Sequence, residues 1–236
     1  IQSHRNVTVP MGAGAYMATN NKNADEVTGT EFFNSNVVYF KANPYHAIND
    51  LSDNSAGTCT TVAMQMLMGY HNYYTDRRLI PEFGGNGLRY LNENYGDLNE
   101  HPRIYPSKTS GYGRPSIGTE VGLYEELMDY NNYSGVYFLG QAIGLVKDSA
   151  LSFVNDYSRG IQDDVTITSG MINMETAKSD IDSGNPIILG CQPIANDSDD
   201  FHVVVAYGYA KYNNVDGFIV HCGWDSDYVH MWYPAS

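Results

Sequence analysis

Gly57-Thr58-Cys59-Thr60-Thr61-Val62-Ala63-Met64-Gln65-Met66-Leu67 runs from a turn straight into a helix-forming segment, with a thiol at the junction. The first N–H groups of a helix lack intrahelical partners and carry about half a positive charge, so a thiol placed there is biased toward thiolate. Val62, Ala63, Met66, Leu67 and Tyr70 recur at helical spacing, which predicts a helix from Cys59 to about Tyr74 with an apolar stripe to bury. Cys59 is therefore a candidate nucleophile. About 140 residues further on, Phe201-His202-Val203-Val204-Val205-Ala206-Tyr207-Gly208-Tyr209 puts a histidine at the start of an apolar run that reads as a buried strand. His202 is the matching candidate for a general base that later returns the proton as an acid.

Working outward, residues 1–30 are rich in Asn, Gly, Ala and Thr without a sustained period, and read as an extended N-terminal arm with at most short strands. Val37-Val38-Tyr39-Phe40 reads as a strand, followed by a polar loop that delivers the chain to Cys59. Residues 82–118 form a long Gly-, Asn-, Tyr- and Pro-rich stretch with a short helix near Leu88 to Asn94; loops of this length are usually functional, and it is expected to rim a cleft. Thr119 caps a helix over Glu120–Tyr130, another runs from about Val146 to Arg159 and stops at Gly160, and Asn173 starts a third through Ile181. Strands are expected at Ile187–Gly190, His202–Tyr207, Phe218–Cys222 and Tyr228–Trp232. Helices first and strands last predict an α+β fold rather than alternating βαβ units. The expected organisation is one domain over 1–236: the arm at 1–30, a helix-rich lobe over about 55–160 and a strand-rich lobe over about 161–236.

Bulk properties exclude several functions. The net charge of −14, with only 13 Lys and Arg, opposes a nucleic-acid partner, because phosphate contacts need clustered cations. No stretch approaches the ~18 apolar residues of a membrane span. The chain begins at Ile1, which reads as a processed or trimmed product, and its few Lys and Arg with 20 Tyr resemble exported proteins, so secretion is expected. With three cysteines one stays unpaired even if two bridge, and Cys59 is the natural odd thiol.

Four segments in order are similar to the papain-like cysteine peptidases, above all the bacterial branch containing streptopain and bacteriocin-processing peptidase domains. They are Gly57–Met64 continuing to Tyr70-His71-Asn72-Tyr73-Tyr74, Gly184-Asn185-Pro186-Ile187-Ile188-Leu189, His202–Tyr209, and Gly217-Phe218-Ile219-Val220-His221-Cys222-Gly223-Trp224, about a third of the chain together. The Cys-to-His distance also falls in the ~130–150 residues of that family. The resemblance implies a papain-like two-lobed fold in which a helical lobe carries the nucleophile and an antiparallel β-sheet lobe the histidine. It implies hydrolysis of peptide or protein substrates through an acyl-enzyme, with no metal or organic cofactor, and is compatible with an inhibitory prosegment.

Two positions depart from the family pattern. His221 stands where the family has Asn or Asp to accept the N–H of the catalytic histidine; a neutral imidazole accepts one hydrogen bond but supplies no carboxylate charge. Three readings stay open: a Cys-His-His triad, a dyad with a structural His221, or lost activity, with Asp225 as a nearby alternative acceptor. The family's upstream Gln is missing, and Asn54, five positions before Cys59, is the candidate oxyanion donor alongside the Cys59 N–H. Trp224 resembles the family's aromatic shield.

Other features are weaker. Cys191 and Cys222, at strand ends, read as a bridged pair, a metal pair with the two histidines, or two buried thiols; neither Cys-x-x-Cys nor His-x-x-x-His spacing occurs, which disfavours zinc. Gly111–Gly118 lacks the Lys-Ser/Thr of a phosphate loop, and Ala195–Asp200 lacks calcium-loop spacing; the latter, at a cleft edge, would favour basic substrates. Alternative functions on the same scaffold are acyl transfer to an amine, hydrolysis of a non-peptide amide, and a catalytically silent binding module.

Overall fold

The computed structural model describes residues 6–14, 21–27, 58–76, 78–79, 89–90, 104–105, 127, 139–158, 160–191, 202–222 and 231–235. Their centre is a seven-stranded sheet built from β1 (Val7–Gly14), β2 (Lys22–Asn23), β5 (Val165–Met171), β6 (Ile187–Cys191), β7 (His202–Tyr212), β8 (Val215–His221) and β9 (Met231–Pro234), in the order β2-β9-β8-β7-β6-β1-β5. β3 (Arg89–Tyr90) and β4 (Ile104–Tyr105) form a separate antiparallel pair. Three α-helices accompany them: α1 (Thr58–Tyr74), α2 (Leu139–Tyr157) and α3 (Met174–Asp182).

Alternation along the strands sorts the core onto the two faces of the sheet. Val7, Val9 and Met11 of β1, Ile167 of β5, Ile188 of β6 and Val203 and Val205 of β7 pack in one cluster with Ala63, Met64 and Leu67 of α1 and Ile143, Val146, Ala150 and Phe153 of α2. The intervening residues Ile187, Leu189, Cys191, Val204 and Ala206, with Val220 of β8, pack with Ala177 and Ile181 of α3. Beyond the bulge between Ala206 and Gly208 in the β7–β8 pairing, Tyr207, Ala210, Ile219 and Trp232 close a third cluster over Ala24 and Val27. A sheet covered on both faces needs apolar residues at consecutive strand positions, which explains the unbroken run from Val203 to Ala206.

Local signals account for the element ends. The Asn173 carboxamide oxygen accepts the Thr176 N–H at 2.9 Å and caps α3. Gly160, two residues after Ser158 closes the last turn of α2, has φ +78°. Asn213 and Asn214 take φ 49° and 64°, the two left-handed residues of a tight hairpin between β7 and β8.

The sequence reading needs correction in four places. The N-terminal arm is no arm: β1 is an eight-residue strand inside the sheet, paired in parallel with β5 on one side and β6 on the other. The sheet is consequently mixed rather than antiparallel; the polar N-terminal composition hid a strand whose apolar residues alternate only at Val7, Val9 and Met11. The expected helix over Leu88–Asn94 is strand at Arg89–Tyr90. β5, Val-Thr-Ile-Thr-Ser-Gly-Met, was not anticipated, because an edge strand with exposed Thr166, Thr168 and Ser169 lacks the apolar content of a buried one. Finally, α2 starts at Leu139 rather than Val146. Of the helix expected over Glu120–Tyr130 only Leu127 is described, helical and buried, its carbonyl accepting the Ser149 hydroxyl. The strand expected at 37–40 lies outside the described residues.

Candidate active site

Cys59 is the second residue of α1, and α1 lies against β7, whose first residue is His202. The thiol is half-buried and packed against the cluster that joins α1, α2 and the sheet. Its sulfur reaches the main chain of Val203, the residue that directly follows His202, and is also served by the first-turn main chain of Cys59 and Thr60. Helix tip and strand start thus bring the Cys59 sulfur to the main chain of the residue next to His202.

His202 directs Nε2 at the main-chain carbonyl of Cys222, 2.7 Å away. A carbonyl oxygen only accepts, so this contact places the proton on Nε2 and makes Nδ1 the basic nitrogen of the ring. One acceptor for the imidazole is therefore a main-chain group one residue after His221. His221 itself is fully buried and opposite Val205 in the β7–β8 register. Residue-type reasoning passes over a carbonyl of this kind, since every residue has one; the only signal was the proximity of Cys222 to the position expected to orient the histidine.

Electrostatics bear on the charge of the pair. Burial pushes the Cys59 thiol above its ordinary value, and hydrogen bonding from Val203, Thr60 and the helix tip opposes this only in part. Burial likewise lowers His202 to about 4 against the pull of the Cys222 carbonyl. Near neutral pH both groups rest uncharged, so the helix tip alone does not yield a standing thiolate: desolvation, which disfavours any charged form, outweighs the helix-end field.

Cys191 pairs with His202 across β6 and β7, and Cys222 lies beyond the end of β8. Both are buried free thiols. Cys222 places Sγ 3.2 Å from the Tyr233 hydroxyl and is pushed up to about 12 by burial; burial also raises Cys191. Such thiols are unreactive at neutral pH, which leaves Cys59 as the accessible one. Among the described residues no group of three His, Cys, Asp or Glu side chains is arranged to hold a metal, and no helix is long and apolar enough to cross a membrane. Asn54, Trp224 and Asp225 lie outside the described residues.

No family model, curated protein or solved structure matches the chain.

Proposed function

We propose that the chain is a secreted, papain-like cysteine peptidase that hydrolyses peptide bonds through Cys59, with His202 as general acid and base and no metal or organic cofactor. The observation that carries this reading is the seating of the Cys59 sulfur at the main chain of Val203, beside His202, at the start of a helix packed on the strand that bears the histidine. In the proposed cycle Nδ1 of His202 takes the thiol proton as sulfur attacks the carbonyl carbon of a peptide. The imidazolium then returns its proton to the departing amine, leaving a thioester on Cys59. Water, deprotonated by the same nitrogen, attacks the thioester and releases the acid. N–H groups of the first turn of α1 face the position where the oxyanion forms, and Asn54 is the proposed side-chain donor beside them.

The resting neutral pair favours one alternative, a binding module that keeps the scaffold without catalysis. Digestion of a proteome-derived peptide library by the wild-type protein and by Cys59→Ala separates the two. The peptidase reading expects new termini that vanish in the variant; identical digests from both proteins contradict it.

A further inference from the structure

β5 closes one end of the seven-stranded sheet, beside β1. In a parallel pair, alternate residues of a strand turn their main-chain N–H and C=O toward the neighbour. Ile172, just past β5, donates its N–H to the Ala13 carbonyl of β1. Thr168 and Gly170, in step with Ile172, therefore face β1, and Ile167, Ser169 and Met171 turn their main-chain groups outward. Val165 faces outward too, but its N–H is taken by the Gln162 carbonyl. Among the described residues the outward groups of Ile167, Ser169 and Met171 meet no partner. Sheet proteins protect an open edge by keeping it short or by placing charge or proline on it. The opposite edge follows that rule, since β2 is two residues long and one of them is Lys22. β5 breaks it: Val-Thr-Ile-Thr-Ser-Gly-Met runs for seven residues without a charge or a proline. It ends on Met171, 95% exposed, the one large apolar side chain among the described residues that stands in solvent.

We propose that this edge is an interface at which a second copy of the chain adds its own β5 antiparallel, joining the two sheets about a two-fold axis at Ser169. In that register the outward groups of Ile167, Ser169 and Met171 exchange hydrogen bonds with those of Met171, Ser169 and Ile167 of the second copy. Val165, Ile167, Ser169 and Met171 share one face of the strand, the face on which Val165 and Ile167 join the core with α2. Pairing thus lays the exposed Met171 of one copy beside Ile167 of the other, twice over, with serine against serine at the axis. The edge is complementary to itself, which favours a second copy over an unrelated strand. Charge selects the direction. Asp163 and Asp164 lie just before β5, and antiparallel pairing sets the two copies of Asp164 about 30 Å apart at ~3.4 Å per residue. Parallel pairing would set them side by side, in a chain of net charge −14. β6 and β1 lie between β7 and this edge, so the interface does not draw on the proposed peptidase site.

The test is sedimentation velocity over about a hundredfold range of protein concentration, on wild type, Ser169→Lys, Ser169→Asp and an equimolar mixture of the two variants. The Ser169 side chain is exposed and its main chain does not bond β1, so both variants keep the fold. Because Ser169 meets itself across the axis, the expected result is a wild-type dimer that dissociates on dilution, monomers for each variant alone, where like charges face each other, and a dimer restored in the mixture. A dimer that persists in either variant alone, or a mixture that stays monomeric, overturns the proposal. So does a wild type that is monomeric at every concentration, including the case in which an added extended peptide slows hydrogen exchange at residues 165–171 and thereby takes the edge for itself. Should a charged variant not fold, Ser169→Pro decides the matter, since it removes an outward N–H and no bond to β1: a monomer supports the proposal and a dimer of wild-type strength refutes it.

Discussion

At the residue scale the site turns on how burial sets the charge of two side chains. With Cys59 raised from its ordinary value and His202 lowered to about 4, the neutral pair holds from about pH 4 up to the thiol's own titration. The alkylation rate of wild-type Cys59 is therefore expected to climb with pH toward and beyond 9, without the plateau between pH 5 and 8 that a thiolate–imidazolium pair produces; a plateau there contradicts the neutral-pair account. His71 adds a stability consequence. It is fully buried in α1, its Nδ1 2.9 Å from the Thr75 hydroxyl, and burial lowers it to about 4. Below the ordinary pKa of 6.5 the unfolded chain binds protons that His71 and His202 refuse while folded. Stability is thus complete above pH 6.5 and falls as pH drops from 6.5 toward 4, by roughly 3 kcal/mol for His71 when fully expressed. Melting temperature should fall over that window and fall less in His71→Gln; a flat profile between pH 7 and 4 contradicts the assignment.

Among the elements, α1 and β7 were the most legible, and for the same reason. The described side chains of each are mostly buried, so apolar residues crowd its sequence and either the helical period or the β-branched run stands out. α3 was readable from its cap, and Asn173→Ala is expected to cost about 1 kcal/mol in chemical denaturation. β1 and β5 were not readable: Gly12, Gly14 and Gly170, with the threonines of β5, give a pair whose stability comes from main-chain pairing and one apolar face rather than from strand-forming composition. The proposed catalytic pair stands out in sequence because Cys and His are scarce and their order is informative. The Cys222 carbonyl was not, since a main-chain acceptor has no residue type. Close packing between β8 and β9 makes a sharper prediction. A Cβ on Gly217 would lie 2.3 Å from the Trp232 ring, which cannot turn aside without losing its 3.1 Å bond from Nε1 to the Ala210 carbonyl. Gly217→Ala should lose about 1–3 kcal/mol of stability, as overpacked sites do, and an unchanged denaturation midpoint contradicts that packing.

On the scale of the whole molecule, the N-terminal strand joins what sequence alone divided into an arm and lobes. β1 lies between β5 and β6, and its Val7, Val9 and Met11 share the core beneath α1 and α2. Removing residues 1–14 should therefore abolish cooperative folding rather than trim a tail; a truncated protein with an unchanged thermal transition contradicts the central position of β1. The same core holds α1, with Cys59 near its start, against β7. The central claim, that Cys59 and His202 act as one chemical unit, is tested most directly by a peptidyl vinyl sulfone, which reacts with a thiolate activated by a neighbouring imidazole. The account predicts a single adduct on Cys59 in the wild-type protein, absent in Cys59→Ala and at least about a hundredfold slower in a folded His202→Ala, as loss of a general base requires. An adduct that forms at the wild-type rate in His202→Ala, or that falls on Cys191 or Cys222, contradicts it.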